Sequence, residues 1–351
     1  MRTLILAAGR FGAPLREAIA AGREPRLDMD ELRSALGADL LDYGAVDTSR
    51  SPAVRAANRM GGASAALAVL AAGEASRYDA IFTSGEDIGI PLAALLLGRR
   101  TAPAHTMISH TLAPLKKRLV LRVPGLRRRI DRVLCYASSE ERLLIERLGF
   151  SSAQVRRISY QADVAFFRPD GRPAPEPDLV CSAGQLLRDY DTLVEAVRDL
   201  PVRLRIAAGS PWIDRPLNPR GALPANVDWR RYDRFELRDL YARSSLAVVP
   251  LLQNEYQTGI STILEMMAMG KCVIATRTRG QTDTIQDGVT GIYVPPGDVV
   301  ALRDAIARAL ERREETARIG AAARRFVERN ASLELFVSQI AETIRQSVPS
   351  R

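Results

Sequence analysis

The residues best suited to chemistry lie in the run Gln257-Thr-Gly-Ile-Ser-Thr-Ile-Leu-Glu265, where a small polar turn leads into an apolar helix that Gly270 ends. The first turn of a helix carries unpartnered backbone N–H groups and the positive end of the helix dipole. A phosphate is therefore welcome at Ser261 and Thr262, just behind the turn residues Gly259 and Ile260. Glu265, about one turn further on, faces the same side as Ser261. Its carboxylate cannot bind phosphate, but it can accept hydrogen bonds from ribose hydroxyls beyond one. A plain helix cap followed by one exposed glutamate satisfies the same pattern.

Short apolar runs alternate with helix-like patterns along the whole chain, which predicts an α/β fold of parallel sheets flanked by helices. In the first half, strands are predicted at Thr3 to Ala7, Leu40 to Tyr43, Ala80 to Thr83, Thr106 to Ile108, Val133 to Tyr136 and Val155 to Ile158. In the second half they are predicted at Leu179 to Ala183, Leu204 to Ala208, Leu246 to Pro250, Cys272 to Ala275 and Ile292 to Val294. A helix from Ser139 to Leu148 takes Ser139 as its cap and Gly149 as its stop. Between the halves, the proline-rich stretch Phe167 to Pro177 breaks all periodicity. The division that follows is an N-terminal domain at 1–168, a linker at 169–178, a C-terminal domain at 179–330 and a terminal helix at 331–351, free to cross back to the first domain. A chain of 351 residues suffices for two such domains, each with its own core.

The composition is globular, 46% hydrophobic and 26% charged. Cys135, Cys181 and Cys272 are odd in number, far apart and without metal-ligand spacing, which fits a reducing cytoplasm. No apolar run reaches the roughly 20 residues that a membrane-spanning helix needs. The formal net charge of +9 is unevenly spread: residues 115–132 hold eight cations against the single acid Asp131, a net +7. Leu115, Leu119, Val120, Val123, Leu126 and Ile130 recur among them at near-helical spacing, although Pro124 and Gly125 must break or kink the helix. Such a basic amphipathic segment can lie on an anionic membrane surface, placing the protein at the inner face of the membrane. The alternative is a solvated helix packed on its own sheet. Nucleic acid is not expected as a partner, because neither aromatic interleaving nor a reading motif is present.

The run from Val248-Val-Pro through Leu264-Glu-Met-Met-Ala-Met-Gly-Lys-Cys-Val-Ile-Ala-Thr276 to Asp287-Gly-Val-Thr-Gly-Ile-Tyr-Val-Pro-Pro-Gly-Asp298 resembles retaining glycosyltransferases of family 4. The likeness continues in Ala183-Gly-Gln-Leu-Leu-Arg-Asp-Tyr-Asp-Thr-Leu193, Ile206-Ala-Ala-Gly-Ser210 and Asp163-Val-Ala-Phe-Phe-Arg-Pro169. It is dense in the C-terminal half and weak in the N-terminal half. It implies the GT-B fold, two Rossmann-like domains whose parallel sheets face each other across a cleft. It also implies transfer of a sugar from a nucleotide-diphosphate donor to an acceptor hydroxyl with retention of configuration. A membrane lipid and a cell-envelope glycan both suit as acceptor.

On that resemblance Glu265 contacts the donor ribose, and Gln257 stands where the family has a glutamate on the donor sugar. Glutamine can hydrogen-bond a sugar but offers no charge to an oxocarbenium-like transition state. Glu255 is the substitute two residues earlier, or else a solvated loop acid. The family holds its leaving diphosphate with an arginine directly after the strand glycine and a lysine further on. Here Gln185 follows Gly184, and Arg188 is the nearest cation for the diphosphate, unless it pairs with Asp189 or Asp191. Tyr232, with Trp229 and Arg231, occupies a position that approaches the nucleobase in the family, or is ordinary loop packing. Gly9-Arg-Phe-Gly12 resembles the family's glycine-rich loop, which puts Gly12 near phosphate or acceptor. His110 ends a strand where these enzymes place a polar cleft residue, and Glu86 follows another strand on the acceptor side. The triplets Asp28 to Asp30 and Asp189 to Asp191 read as solvated acids, so no divalent ion is expected to be required. Two rivals stay open: a non-catalytic nucleotide-sugar-binding partner or regulator, and a sugar-nucleotide epimerase.

Overall fold

Every residue of the first strand, β1 (Thr3–Leu6), is buried, as a strand covered on both faces requires. The computed structural model describes residues 1–112, 114–209, 218–219 and 221–348, so that Ser210 of the run Ile206 to Ser210 lies outside the described residues. The chain divides into two units, the first made of Met1–Ala21, Arg26–Ser159 and Glu334–Arg351 and the second of Gly22–Pro25 and Tyr160–Leu333.

In the first unit β1 is joined by β2 (Asp39–Leu41), β3 (Ala80–Thr83), β4 (Ala104–Ile108), β5 (Arg132–Cys135) and β6 (Val155–Arg157). All pairings are parallel, in the order β2-β1-β3-β4-β5-β6. The second unit contains β7 (Glu176–Ala183), β8 (Arg203–Ala207), β9 (Val227–Arg230), β10 (Ser244–Val249), β11 (Val273–Thr276) and β12 (Ile292–Val294). Its order is β12-β11-β10-β7-β8-β9, again wholly parallel. Strand order reverses between β1 and β3 in one sheet and between β7 and β10 in the other. At such points the loops leaving the carboxyl ends of adjacent strands part to opposite faces, and a ligand crevice opens between them.

Both faces of the second sheet are apolar. Val180, Leu204 and Leu246 pack with Leu193 and Ile306 on one face, while Cys181, Ala247 and Val249 pack with Tyr241, Ile263 and Met267 on the other. Asp189, Asp233 and Asp298 accept from backbone N–H groups to cap the helices Tyr190–Val197, Arg234–Arg243 and Val299–Glu311. Asp191 sits in the first turn behind Asp189, and Asp28 and Asp30 sit in the first turn of the helix Asp28–Leu36. Acids suit these places because they meet the positive end of the helix dipole.

Most strand ends shift by one or two residues from the sequence reading, and three elements differ more instructively. β7 begins at Glu176 rather than Leu179, because Glu176 and Asp178 both pair with Arg203 of β8. Val227–Arg230 is an edge strand that no apolar run announces; it is held to β8 in register and by an Arg205–Asp228 ion pair. Ser139 is not a cap: the helix starts at Ser138 after an extended Ala137, and its last turn, Leu143–Arg147, is wound as a π-helix before Gly149. All three cysteines are buried and free. Among the described residues no helix is long and apolar enough to cross a membrane.

Candidate functional site

A cavity of about 390 Å³ opens in the second unit beyond the carboxyl ends of β7 and β8 and beside the helix Ile260–Ala268 that follows β10. Its position follows from the β7/β10 reversal. The chain leaves β7 through Gly184, whose φ of 97° lies in the region that favours glycine, and turns back through Leu187 at φ 52°. Leu187 holds that conformation because its carbonyl accepts from the Leu252 N–H at 2.9 Å.

This turn throws Arg188 back under its own strand. Its Nε donates to the Ala183 carbonyl at 2.9 Å, Nη1 to the Leu186 carbonyl at 2.9 Å and Nη2 to Thr262 Oγ1 at 3.1 Å. Neither Asp189, which caps a helix, nor Asp191 pairs with it, and no other carboxylate does among the described residues. Burial lowers its pKa from the usual arginine value, yet arginine keeps its proton at neutral pH. The result is a fixed guanidinium, oriented by neutral acceptors and in direct ion pairing with no carboxylate among the described residues, although Glu265 acts on it from further off.

The helix Ile260–Ala268 adds to this field. Its cap position is Gly259 at φ 80°, with no side-chain hydrogen bond, in contrast to the aspartate-capped helices of the same unit. The first N–H groups therefore remain open beside Gly259, Ser261 and Thr262, all of which line the cavity. Together with Arg188 they form a cradle suited to a phosphate or diphosphate. Ile260 begins the helix but does not line the cavity.

Gly184 is the least replaceable member. A Cβ there would collide with the Arg188 guanidinium, lying 2.8 Å from its Cζ, and would also have to tolerate the positive φ. Gly184→Ala is expected to cost about 1–3 kcal/mol and to displace Arg188 from Thr262. Thermal unfolding with and without a nucleoside diphosphate checks this; an unchanged melting temperature and unchanged ligand stabilisation would contradict it.

Glu265 faces the same cavity from the second turn of the helix, 8% exposed. Its Oε1 accepts from Arg234 Nη1 at 2.9 Å. Burial raises its carboxyl above the ordinary value, while Arg234 and, further off, Arg188 pull it down. Arg234 comes from the helix that Asp233 caps, and the sequence reading missed it. No motif marks it, since only tertiary packing joins positions 31 residues apart.

Tyr232 and Arg231 also line the cavity, and the Arg230 guanidinium lies 3.6 Å above the Tyr232 ring. Trp229 is inside β9 and stacks edge-on against Tyr190 at 4.9 Å, packing half-buried against the core rather than lining the cavity. Gln257 does not line the cavity. Its Nε2 donates to Thr284 Oγ1 at 3.3 Å, and its Oε1 is buried without a partner among the described residues. Glu255 is exposed and paired with Arg279 at 2.9 Å.

The remaining candidates belong to the first unit. Gly12 precedes the helix Ala13–Ala20 with φ −71°, a conformation open to any residue; Gly9, at φ 146°, is the glycine that the loop requires. His110 accompanies the end of β4, with Nε2 2.9 Å from the Ser84 carbonyl. A carbonyl only accepts, so Nε2 carries a proton. Glu86 is buried; it accepts from the backbone N–H groups of His110 at 2.9 Å and Thr111 at 3.2 Å and pairs with Lys117 at 2.8 Å. It anchors the loop that carries His110.

Residues 179–312 match the family model for glycosyl transferases group 1. A D-inositol 3-phosphate glycosyltransferase of Saccharomonospora viridis is 27% identical over 226 residues, 57% of this chain and 52% of that protein, so the chain spans about half the length of the curated relative it matches. A glycosyltransferase from Rickettsia africae superposes with a TM-score of 0.70 at 15% identity, covering 100% of this chain and 99% of that one. Anabaena Alr3699/HepE, solved in complex with UDP and glucose, gives 0.68 at 15% identity over 97% of this chain and 99% of that one. Residues 179–312 are thus similar to group 1 glycosyltransferases, and the chain as a whole has the GT-B fold.

Proposed function

We propose that the protein is a retaining glycosyltransferase that moves a sugar from a nucleoside-diphosphate donor to an acceptor hydroxyl. The observation that carries this reading is the convergence of the Arg188 guanidinium, which no carboxylate pairs with directly, and the uncapped start of the helix Ile260–Ala268 on one cavity. The HepE complex, with UDP and glucose in a protein of the same fold, supports a nucleoside-diphosphate donor. In this reading the cradle holds the diphosphate, Glu265 accepts from the ribose and Tyr232 lies near the base, while Gln257, outside the cavity and tethered to Thr284, takes no part in holding the sugar.

During transfer the bond from the anomeric carbon to the phosphate oxygen breaks, and its electron pair stays on the phosphate. The acceptor oxygen bonds to the same face of that carbon, and its proton passes to the departing phosphate oxygen. Stabilising the growing diphosphate charge is then the main catalytic task, and Arg188 with the helix N–H groups performs it. No divalent ion is required in this scheme. His110 and the Gly9 to Gly12 loop are assigned to the acceptor.

A thermal-shift screen of nucleotide sugars, followed by product analysis of the best ligand with EDTA present, tests the proposal. Transfer to an acceptor is expected; stabilisation without turnover indicates a binding partner, and acceptor-free conversion indicates an epimerase.

The membrane reading also gains a specific observation. Leu115, Leu119, Val120 and Val123 are all exposed, interleaved with exposed Lys116, Arg122 and Arg128. Other cations of the segment are bound within the fold: Lys117 pairs with Glu86 and Asp87, Arg127 donates to the Leu148 carbonyl, and Arg129 donates to the Leu97 and Arg99 carbonyls. We infer that the exposed set rests on an anionic membrane, where a lipid or membrane-borne glycan serves as acceptor. Replacing Lys116, Arg122 and Arg128 by serine is expected to weaken binding to anionic vesicles by about two orders of magnitude, at roughly 1 kcal/mol per charge. Unchanged co-sedimentation would remove the membrane from the account.

A further inference from the structure

A second cavity of the same unit, about 600 Å³, opens by the amino ends of β10 and β11, where Ser245 and Cys272 line it. It is separate from the donor cavity, and the inference drawn from it does not depend on transfer activity. Its lining is largely apolar, with Pro169, Pro175 and Pro177 joined by Leu310, Ala317 and Ala321. Gly320 lies so close to the Gly270 carbonyl that a Cβ would collide with it, which pins the helix Arg313–Asn330 against the chain at this point.

All charged residues in the lining are cations: Lys271, Arg313, Arg324 and Arg325. Arg324 is committed, with Nε on Glu328 at 2.6 Å and its other nitrogens on backbone carbonyls. The other three have no carboxylate partner among the described residues. Lys271 is only 7% exposed, and its Nζ donates to the Ala242 carbonyl at 2.7 Å, which uses one of its three N–H bonds. Burial brings its pKa down to about 8, so the ammonium form still prevails at neutral pH. A buried cation with unused donors at the edge of an apolar cavity is costly unless an anion meets it.

We propose that this cavity binds a soluble single-chain amphipathic anion, its alkyl chain among the prolines, Leu310 and Ala317, and its carboxylate or phosphate head at Lys271 and Arg325. A neutral apolar molecule would leave the ammonium unmet, and a small hydrophilic anion would leave the apolar walls wet. One ligand class answers both features.

Displacement of a fluorescent fatty acid from the full chain by monomeric decanoate and by decanol tests the assignment. Decanoate is expected to compete about tenfold more strongly than decanol, because its head makes charge-assisted hydrogen bonds. Lys271→Met should bring the two ligands close to equal, and Arg325→Ser, at an exposed position, should narrow the gap in a chain that keeps its fold. Ala317→Phe, also at an exposed position, should block both ligands. Equal competition by decanoate and decanol in the unaltered protein, or full affinity in Ala317→Phe, overturns the proposal. So does competition by phosphatidylglycerol vesicles without competition by decanoate, which would indicate a membrane surface instead.

Discussion

Arg188→Ala is expected to lower kcat for sugar transfer by about two to three orders of magnitude, the loss found when a preorganised donor to a developing anion is removed. The melting temperature should move little. The side chain gives up three neutral hydrogen bonds, but a charge without a counter-ion disappears with it. KM for the donor should rise less than kcat falls, because the diphosphate carries more charge in the transition state than in the bound donor. Arg188→Lys should recover little of the rate, since one ammonium cannot reach Ala183, Leu186 and Thr262 together and still present a planar fork to phosphate. Steady-state kinetics on the three proteins decide the matter, and a kcat within a few-fold of the original in Arg188→Ala would remove Arg188 from the catalytic machinery.

Glu265 is expected to behave differently. Glu265→Gln keeps a hydrogen-bond acceptor for Arg234 but no longer offers ribose a charged one, and donor KM should rise about 10–100-fold with kcat much less affected. Glu265→Ala also leaves Arg234 without its partner, which costs about 1–3 kcal/mol and should show as a lower melting temperature. Adding Arg234→Ala to Glu265→Ala should restore stability and not donor affinity. That double variant separates the two roles of the carboxylate; recovery of donor affinity along with stability would mean that Glu265 never touches the donor.

Much of this molecule is legible in its sequence because parallel strands covered on both faces must be apolar throughout. β1, β3, β7, β10 and β11 all announce themselves in this way. β9 does not, because Val227-Asp-Trp-Arg230 is a short edge strand whose Asp228 reaches sideways to Arg205. The open helix start at Gly259 to Thr262 is legible for a simple reason: a helix that begins with glycine has no side chain with which to cap itself. The posture of Arg188 is not. It depends on Leu187 adopting a positive φ, and the segment Pro250 to Leu252, far along the chain, holds it there through the Leu252 N–H on the Leu187 carbonyl and the Asp189 N–H on the Pro250 carbonyl. The basic segment teaches a similar lesson. Its net charge is plain in the sequence, but that Lys117, Arg127 and Arg129 turn inward is decided by carboxylates and helix ends elsewhere in the unit. Gln257 can be seen to depart from the glutamate of the glycosyltransferases that the segment resembles, while its tether to Thr284 emerges only in three dimensions.

Calorimetric titration bears most directly on the cradle. The ligands are the nucleoside diphosphate whose sugar derivative stabilises the protein best and the matching monophosphate, each added to the unaltered chain and to Arg188→Ala. Arg188 and the open helix start should make the diphosphate bind about 10–100-fold more tightly than the monophosphate, and this gap should collapse in the variant. Equal affinity for the two ligands in the unaltered protein, or a gap that survives the loss of Arg188, would contradict the account.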